Sequence, residues 1–94
     1  MSPSSERTVR LPADLHARPA GQLARAAAGF SSKVTLAAGE KEVKATSISW
    51  LMMLGATKGT DVTVRAEGPD AEDAVEVLSG MLAAVTPVDA PASG

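Results

Sequence analysis

The sequence holds a single imidazole, the side-chain type best suited to proton and group transfer at neutral pH, at His16 in the run Leu15-His16-Ala17-Arg18-Pro19-Ala20. Proline suits the first turn of a helix, so Pro19 places His16 where a helix begins. There, unpaired backbone N–H groups and about half a unit of positive charge favour phosphate or another anion. Pro19 has no N–H, which leaves Ala17 and Arg18 as the free donors, and the Arg18 guanidinium can grip phosphate oxygens in bidentate fashion. Imidazole, helix start and guanidinium within one turn suit a phosphoryl group carried on the ring. The same residues also admit a plainer reading: a surface or capping histidine, a solvated arginine and a proline that only starts a helix. Other chemistry is poorly supplied. One His, no Cys and scattered Asp and Glu give no metal-ligand spacing, no serine nucleophile elbow is present, and no cofactor is implied.

The elements that must position His16 follow from periodicity. Residues 7–11 alternate, with Val9 and Leu11 on one side, as in a half-buried strand ended by Pro12. Ala20, Leu23, Ala24, Ala27 and Phe30 then draw an apolar helical stripe, with Gly29 at its end. Residues 33–37 and 40–45 read as a strand pair turned at Ala38-Gly39. Residues 47–54 form a two-turn helix with Ser47 as N-cap and Gly55 closing it. Residues 60–67 alternate again, with Val62, Val64 and Ala66 inward, before Gly68-Pro69 breaks the strand. From Asp70, the residues Ala71, Ala74, Val75, Leu78, Met81 and Leu82 mark the strongest amphipathic helix. Asp70 is its expected cap, Glu72 and Asp73 lie in its first turn, and residues 83–85 are a candidate extension. The order βαββαβα predicts an α+β open-faced sandwich, a four-stranded antiparallel sheet with three helices on one face.

Composition bounds the rest. Ninety-four residues allow one domain. The span 6–86 reads as that domain, and 1–5 and 87–94, rich in Ser, Pro, Ala and Gly, read as flexible tails. With one Trp, one Phe and no Tyr, the core must be aliphatic. The absence of Cys fits a reducing cytoplasm. A net charge of −2 argues against nonspecific nucleic-acid binding. The polar first six residues do not read as a secretory signal, and the longest apolar run, 50–54, is far too short to span a membrane. A soluble, cytoplasmic protein is expected.

The run around His16 resembles the active-site signature of the HPr family, the histidine-containing phosphocarriers of the bacterial phosphoenolpyruvate-dependent sugar phosphotransferase system. The resemblance continues through 47–54 with Gly55, Lys58-Gly59, Asp61-Val62-Thr63-Val64, Gly68 and the 70–82 helix, and so covers nearly all of 6–86. It implies the same sandwich, and a carrier that turns over only with two partner proteins rather than an enzyme in its own right. His16 would accept a phosphoryl group on Nδ1 from phosphorylated enzyme I and pass it to the IIA domain of a sugar permease. Arg18 would hold the phosphate, helped by the Ala17 and Arg18 amides. A monomer is expected.

The resemblance also implies that Ala20, Ile48, Ser49 and Met52 meet partners, whereas Leu51 and Leu54 belong to the core. Six successive residues, 48–53, cannot all be buried on one short helix, so an apolar docking patch is expected there. Trp50 and Met53 stay open between core and surface. Ser47 aligns with the serine that a kinase modifies in many Gram-positive relatives, so it is a candidate regulatory phosphosite as well as an N-cap. An HPr kinase/phosphorylase or a transcription regulator would then be a further partner. Two departures stand out. Asp14 replaces the usual Gly or Asn before Leu-His, and either tunes His16 or points away, while the 50–53 segment is unusually apolar. Two rival functions are a specialised relative serving a nitrogen-related or regulatory branch, and a small acylphosphatase-like hydrolase. The hydrolase needs an Asn to position water, and this sequence has none.

Overall fold

A computed structural model describes residues 3–87; Met1, Ser2 and most of the predicted C-terminal tail lie outside the described residues. The elements follow the expected order: β1 (Ser4–Arg10), α1 (Ala17–Ala28), β2 (Lys33–Ala38), β3 (Lys41–Lys44), α2 (Ile48–Leu54), β4 (Asp61–Glu67) and α3 (Ala71–Ala83). The strands form one antiparallel sheet in the order β1-β4-β2-β3, with Val9 opposite Val62 and Leu36 opposite Val64. Inward side chains of β2, β3 and β4 alternate with outward ones. Val34, Leu36, Val43, Val62, Val64 and Ala66 are buried beneath Leu23, Leu51, Leu78 and Leu82 of the helices. The opposite face is open and polar. Thr8 pairs with Thr63, Arg10 with Asp61, and Arg65 with both Glu6 and Glu42. Glu42 is held below the ordinary carboxylate range, first by the Thr35 hydroxyl and then by Arg65.

Four boundaries differ from the sequence reading. The first strand begins at Ser4, because Ser4 and Ser5 stand opposite Glu67 and Ala66 and the Gly68 amide donates to the Pro3 carbonyl. Pairing partners, invisible in local composition, draw residues 4 and 5 out of the assigned tail. The hairpin turns at Gly39-Glu40, since Ala38 still pairs with Lys41, and Gly39 supplies a positive φ of 59°. The third strand is correspondingly shorter, and Ala45 already lies in the following turn. The last helix stops at Ala83, although Val85 remains buried beyond it.

Asp70 does not cap α3 through its side chain. Its carboxylate turns away and accepts from the Ser31 and Ser32 amides, each at 2.8 Å, and from the Ser32 hydroxyl, which in turn accepts from the Asp70 amide. The α1–β2 turn is thereby tied to the start of α3. Gly68 permits the close approach: a Cβ there would stand 2.6 Å from Ser32 Oγ, and its φ of 145° strains any other residue.

The bonds from the Ser32 hydroxyl and then the Ser31 amide hold the Asp70 carboxyl below its usual range. A carboxyl depressed in the folded state stabilises that state above the unfolded pKa, and the stabilisation is lost as pH falls through the folded value. Asp70→Asn is therefore expected to lower Tm by several degrees at neutral pH. In thermal unfolding across pH, the gap from the unaltered protein should narrow as pH falls below the ordinary aspartate range and through the lowered folded value, where the carboxyl itself protonates.

Candidate functional site

His16 is the residue at which the chain turns from loop to helix. Its backbone is extended, its carbonyl accepts the first helical bond from the Ala20 amide at 3.1 Å, and its side chain makes no capping bond. The imidazole is thus not spent on the helix, which sets aside the capping reading. The amides of Ala17 and Arg18 precede the first intrahelical donor, and Pro19 contributes none. Ala17 and Arg18 are exposed, His16 is half-buried, and Pro19 is buried.

The approach to His16 is fixed by bonds to one neighbouring loop. Leu11 exchanges backbone bonds with Thr60 and Gly59, and the Leu15 amide donates to the Ala56 carbonyl at 3.0 Å. The Asp14 carboxylate accepts from the Lys58 amide at 2.7 Å, so this departure from the usual residue serves as a clamp on the 56–60 loop. Leu11, Ala13 and Leu15 are buried between these ties.

On its other side the ring meets the segment that follows α3. His16 Nε2 lies 3.1 Å from the Thr86 carbonyl oxygen. A carbonyl only accepts, so in the neutral ring the proton sits on Nε2 and Nδ1 keeps its lone pair. The ring and Arg18 open into a cleft of about 260 Å³ lined also by Pro19, Gln22, Met81 and Val85. Sequence reasoning missed Thr86 and the α3 end because a main-chain acceptor has no signature in residue type. The one available signal was Val85, an apolar residue beyond the predicted helix that needed a place to be buried.

The residues expected to dock partners divide. Ile48, Ser49 and Met52 are on the surface, Ile48 at 46% and Met52 at 42% exposure, while Leu51 and Leu54 are buried as expected. Ala20 is a correction. It is fully buried beneath the helices and presents nothing to a partner, because the same stripe that directs Leu23 and Ala24 inward includes it. Trp50 and Met53, left open by the sequence, are exposed at 47% and 63%. Gly21 is buried where the second helix meets the first, and a Cβ added there would touch Ile48 Cδ1 at 3.8 Å, an ordinary contact, so the approach of the two helices does not require glycine. Ser47 is the N-cap of α2: its hydroxyl accepts from the Trp50 amide at 3.3 Å, and Gly55 closes the helix in the left-handed region.

Residues 3–84 match the family model described as PTS HPr component phosphorylation site. The chain belongs to the HPr family. Among its HPr relatives, the phosphocarrier protein HPr of Vibrio cholerae is 40% identical over 79 residues, covering 82% of this chain and 93% of that protein. The Haemophilus influenzae phosphocarrier protein HPr is 41% identical over 68 residues, 72% of this chain and 80% of its own length. The crystal structure of an HPr from Bacillus anthracis superposes with a TM-score of 0.78 at 32% identity, covering 84% of this chain and 96% of that one. The solution structure of Crh, the catabolite repression HPr of Bacillus subtilis, gives 0.74 at 37% identity, with 88% and 99% covered. These likenesses bear out the open-faced sandwich and the phosphocarrier family read from the sequence.

Within this HPr frame, the Asp14 clamp is open to test. Asp14→Ala is expected to cost about 1 kcal/mol and to speed hydrogen exchange at the Lys58 amide, measured by NMR, while the α3 amides exchange as before.

Proposed function

We propose that this chain accepts a phosphoryl group on His16 Nδ1 from phosphorylated enzyme I and passes it to the IIA domain of a sugar permease. The observation that carries the reading is the placement of the imidazole. It sits at the mouth of α1, uncommitted to capping, with Nε2 occupied by the Thr86 carbonyl and Nδ1 left with its lone pair. Attack by that lone pair forms the N–P bond as the bond from phosphorus to the donor breaks, the electron pair leaving with the donor. The ring then carries positive charge and the phosphoryl oxygens negative charge. The Ala17 and Arg18 amides and the Arg18 guanidinium supply the matching donors.

The donor set is small because Pro19 removes an amide from the first turn. That economy suits a carrier: a deeper anion trap would retain the cargo, whereas phosphoryl transfer through a loose in-line transition state needs positioning more than tight binding. The exposed side chains of Ile48, Ser49 and Met52 would receive the partner proteins beside α1. Ser47 acts first as the cap of α2. A phosphate on its hydroxyl would add charge next to that surface and hinder docking, the regulatory role suggested for it.

Two substitutions test the assignment. Incubated with phosphoenolpyruvate and enzyme I, the unaltered protein should gain an acid-labile, base-stable phosphate, and His16→Ala should gain none; labelling that survives the substitution would falsify the carrier reading. Arg18→Ala, at an exposed position, should keep its unfolding temperature and transfer about 10- to 100-fold more slowly, the effect of losing a charge-assisted bond. Equal transfer rates would remove the guanidinium from the mechanism.

A further inference from the structure

The segment after α3 meets the His16 ring. Val85 is buried and its amide returns to the Leu82 carbonyl, which anchors the segment to α3. Thr86 follows with an exposed side chain, and its carbonyl oxygen meets His16 Nε2. Pro87 comes next and restricts Thr86 to extended backbone, so the direction of that carbonyl is limited by covalent structure as well as by the anchor. The three residues form a short strap whose one polar contact with the site is a main-chain acceptor.

We infer that the Thr86 carbonyl is a positioning group for phosphoryl transfer, holding the His16 ring proton on Nε2 before, during and after the phosphoryl group occupies Nδ1. The inference rests on the carrier reading of His16. When Nδ1 bonds phosphorus, the proton on Nε2 stays in place and the ring becomes cationic. A carbonyl dipole 3.1 Å away stabilises that cation and fixes the ring plane relative to the cleft. When the acceptor takes the phosphoryl group, the N–P electron pair returns to Nδ1 and the ring is neutral again, with its proton still on Nε2. No proton enters or leaves the imidazole in the cycle. A ring freed from the strap would rotate and exchange its proton with water, and fewer encounters would find Nδ1 aimed at phosphorus.

The role belongs to the backbone, so the test separates main chain from side chain in the full-length protein. Thr86→Ala removes the hydroxyl and keeps the carbonyl. The double substitution Thr86→Gly with Pro87→Gly releases the backbone and leaves Val85 in place. Nitrogen-15 NMR of the unphosphorylated imidazole is expected to show the proton on Nε2, with slowed exchange, in the unaltered protein and in Thr86→Ala, and to show that protection lost in the double variant. Transfer from phosphorylated enzyme I should slow about three- to tenfold in the double variant alone, the range of one hydrogen bond, with KM for the donor protein unchanged.

A ring proton found on Nδ1, an Nε2 proton that exchanges freely in the unaltered protein, or a double variant that transfers at full rate would each overturn the inference. The two readings fail differently. A protected Nε2 proton with no phosphoryl uptake by the unaltered protein defeats the carrier assignment, and the transfer role with it. Normal uptake with an unprotected Nε2 proton defeats the strap alone.

Discussion

The place where the chain passes from β1 into α1 is held by backbone bonds to the loop before β4, and the site depends on that junction. Leu11 pairs with Thr60 and Gly59, and Leu15 with Ala56, so the sheet's hydrogen bonding continues past its last strand residue and delivers His16 to one point in space. A histidine on an unsupported loop would sample many orientations and lose entropy on each encounter with a partner. Here that cost is met during folding. The buried Leu11, Ala13 and Leu15 contribute apolar area, and each backbone bond contributes a modest net gain.

The polar face of the sheet and the helical face differ in a way that bears on what the molecule can meet. One side of the sheet displays paired charges and hydroxyls, Arg65 with Glu6 and Glu42 among them, which satisfy one another. The helical side displays Ile48, Trp50, Met52 and Met53, all exposed among the described residues. The seven-residue α2 holds its place because Leu51 and Leu54 are buried and Ser47 and Gly55 satisfy its ends, so the remaining positions need contribute nothing to folding. Their side chains are therefore free to be selected for what they touch.

Much of this was legible beforehand, and the reasons are physical. Alternation along 60–67 and the stripe from Ala71 to Leu82 report burial directly, and Pro19, Ser47 and Gly55 mark helix ends by their own stereochemistry. The His-x-Arg-Pro arrangement was readable because each residue type has a distinct chemical use. Features set by distant pairing were not legible. Ser4 and Ser5 enter a strand because Glu67 and Ala66 wait opposite them. Asp70 leaves its own helix because two amides of the Ser31-Ser32 turn make a better site for a carboxylate. Ala20 lies in the signature yet serves the core, since being near an active residue in sequence does not decide which way a side chain points.

The indole of Trp50 stands half-exposed on α2, and the sequence contains no other tryptophan and no tyrosine. Ultraviolet emission from this molecule therefore originates almost wholly at one spot, on the apolar helix beside α1. A protein settling over that helix would dehydrate the chromophore and move its spectrum toward the blue, so complex formation can be followed without attaching a dye.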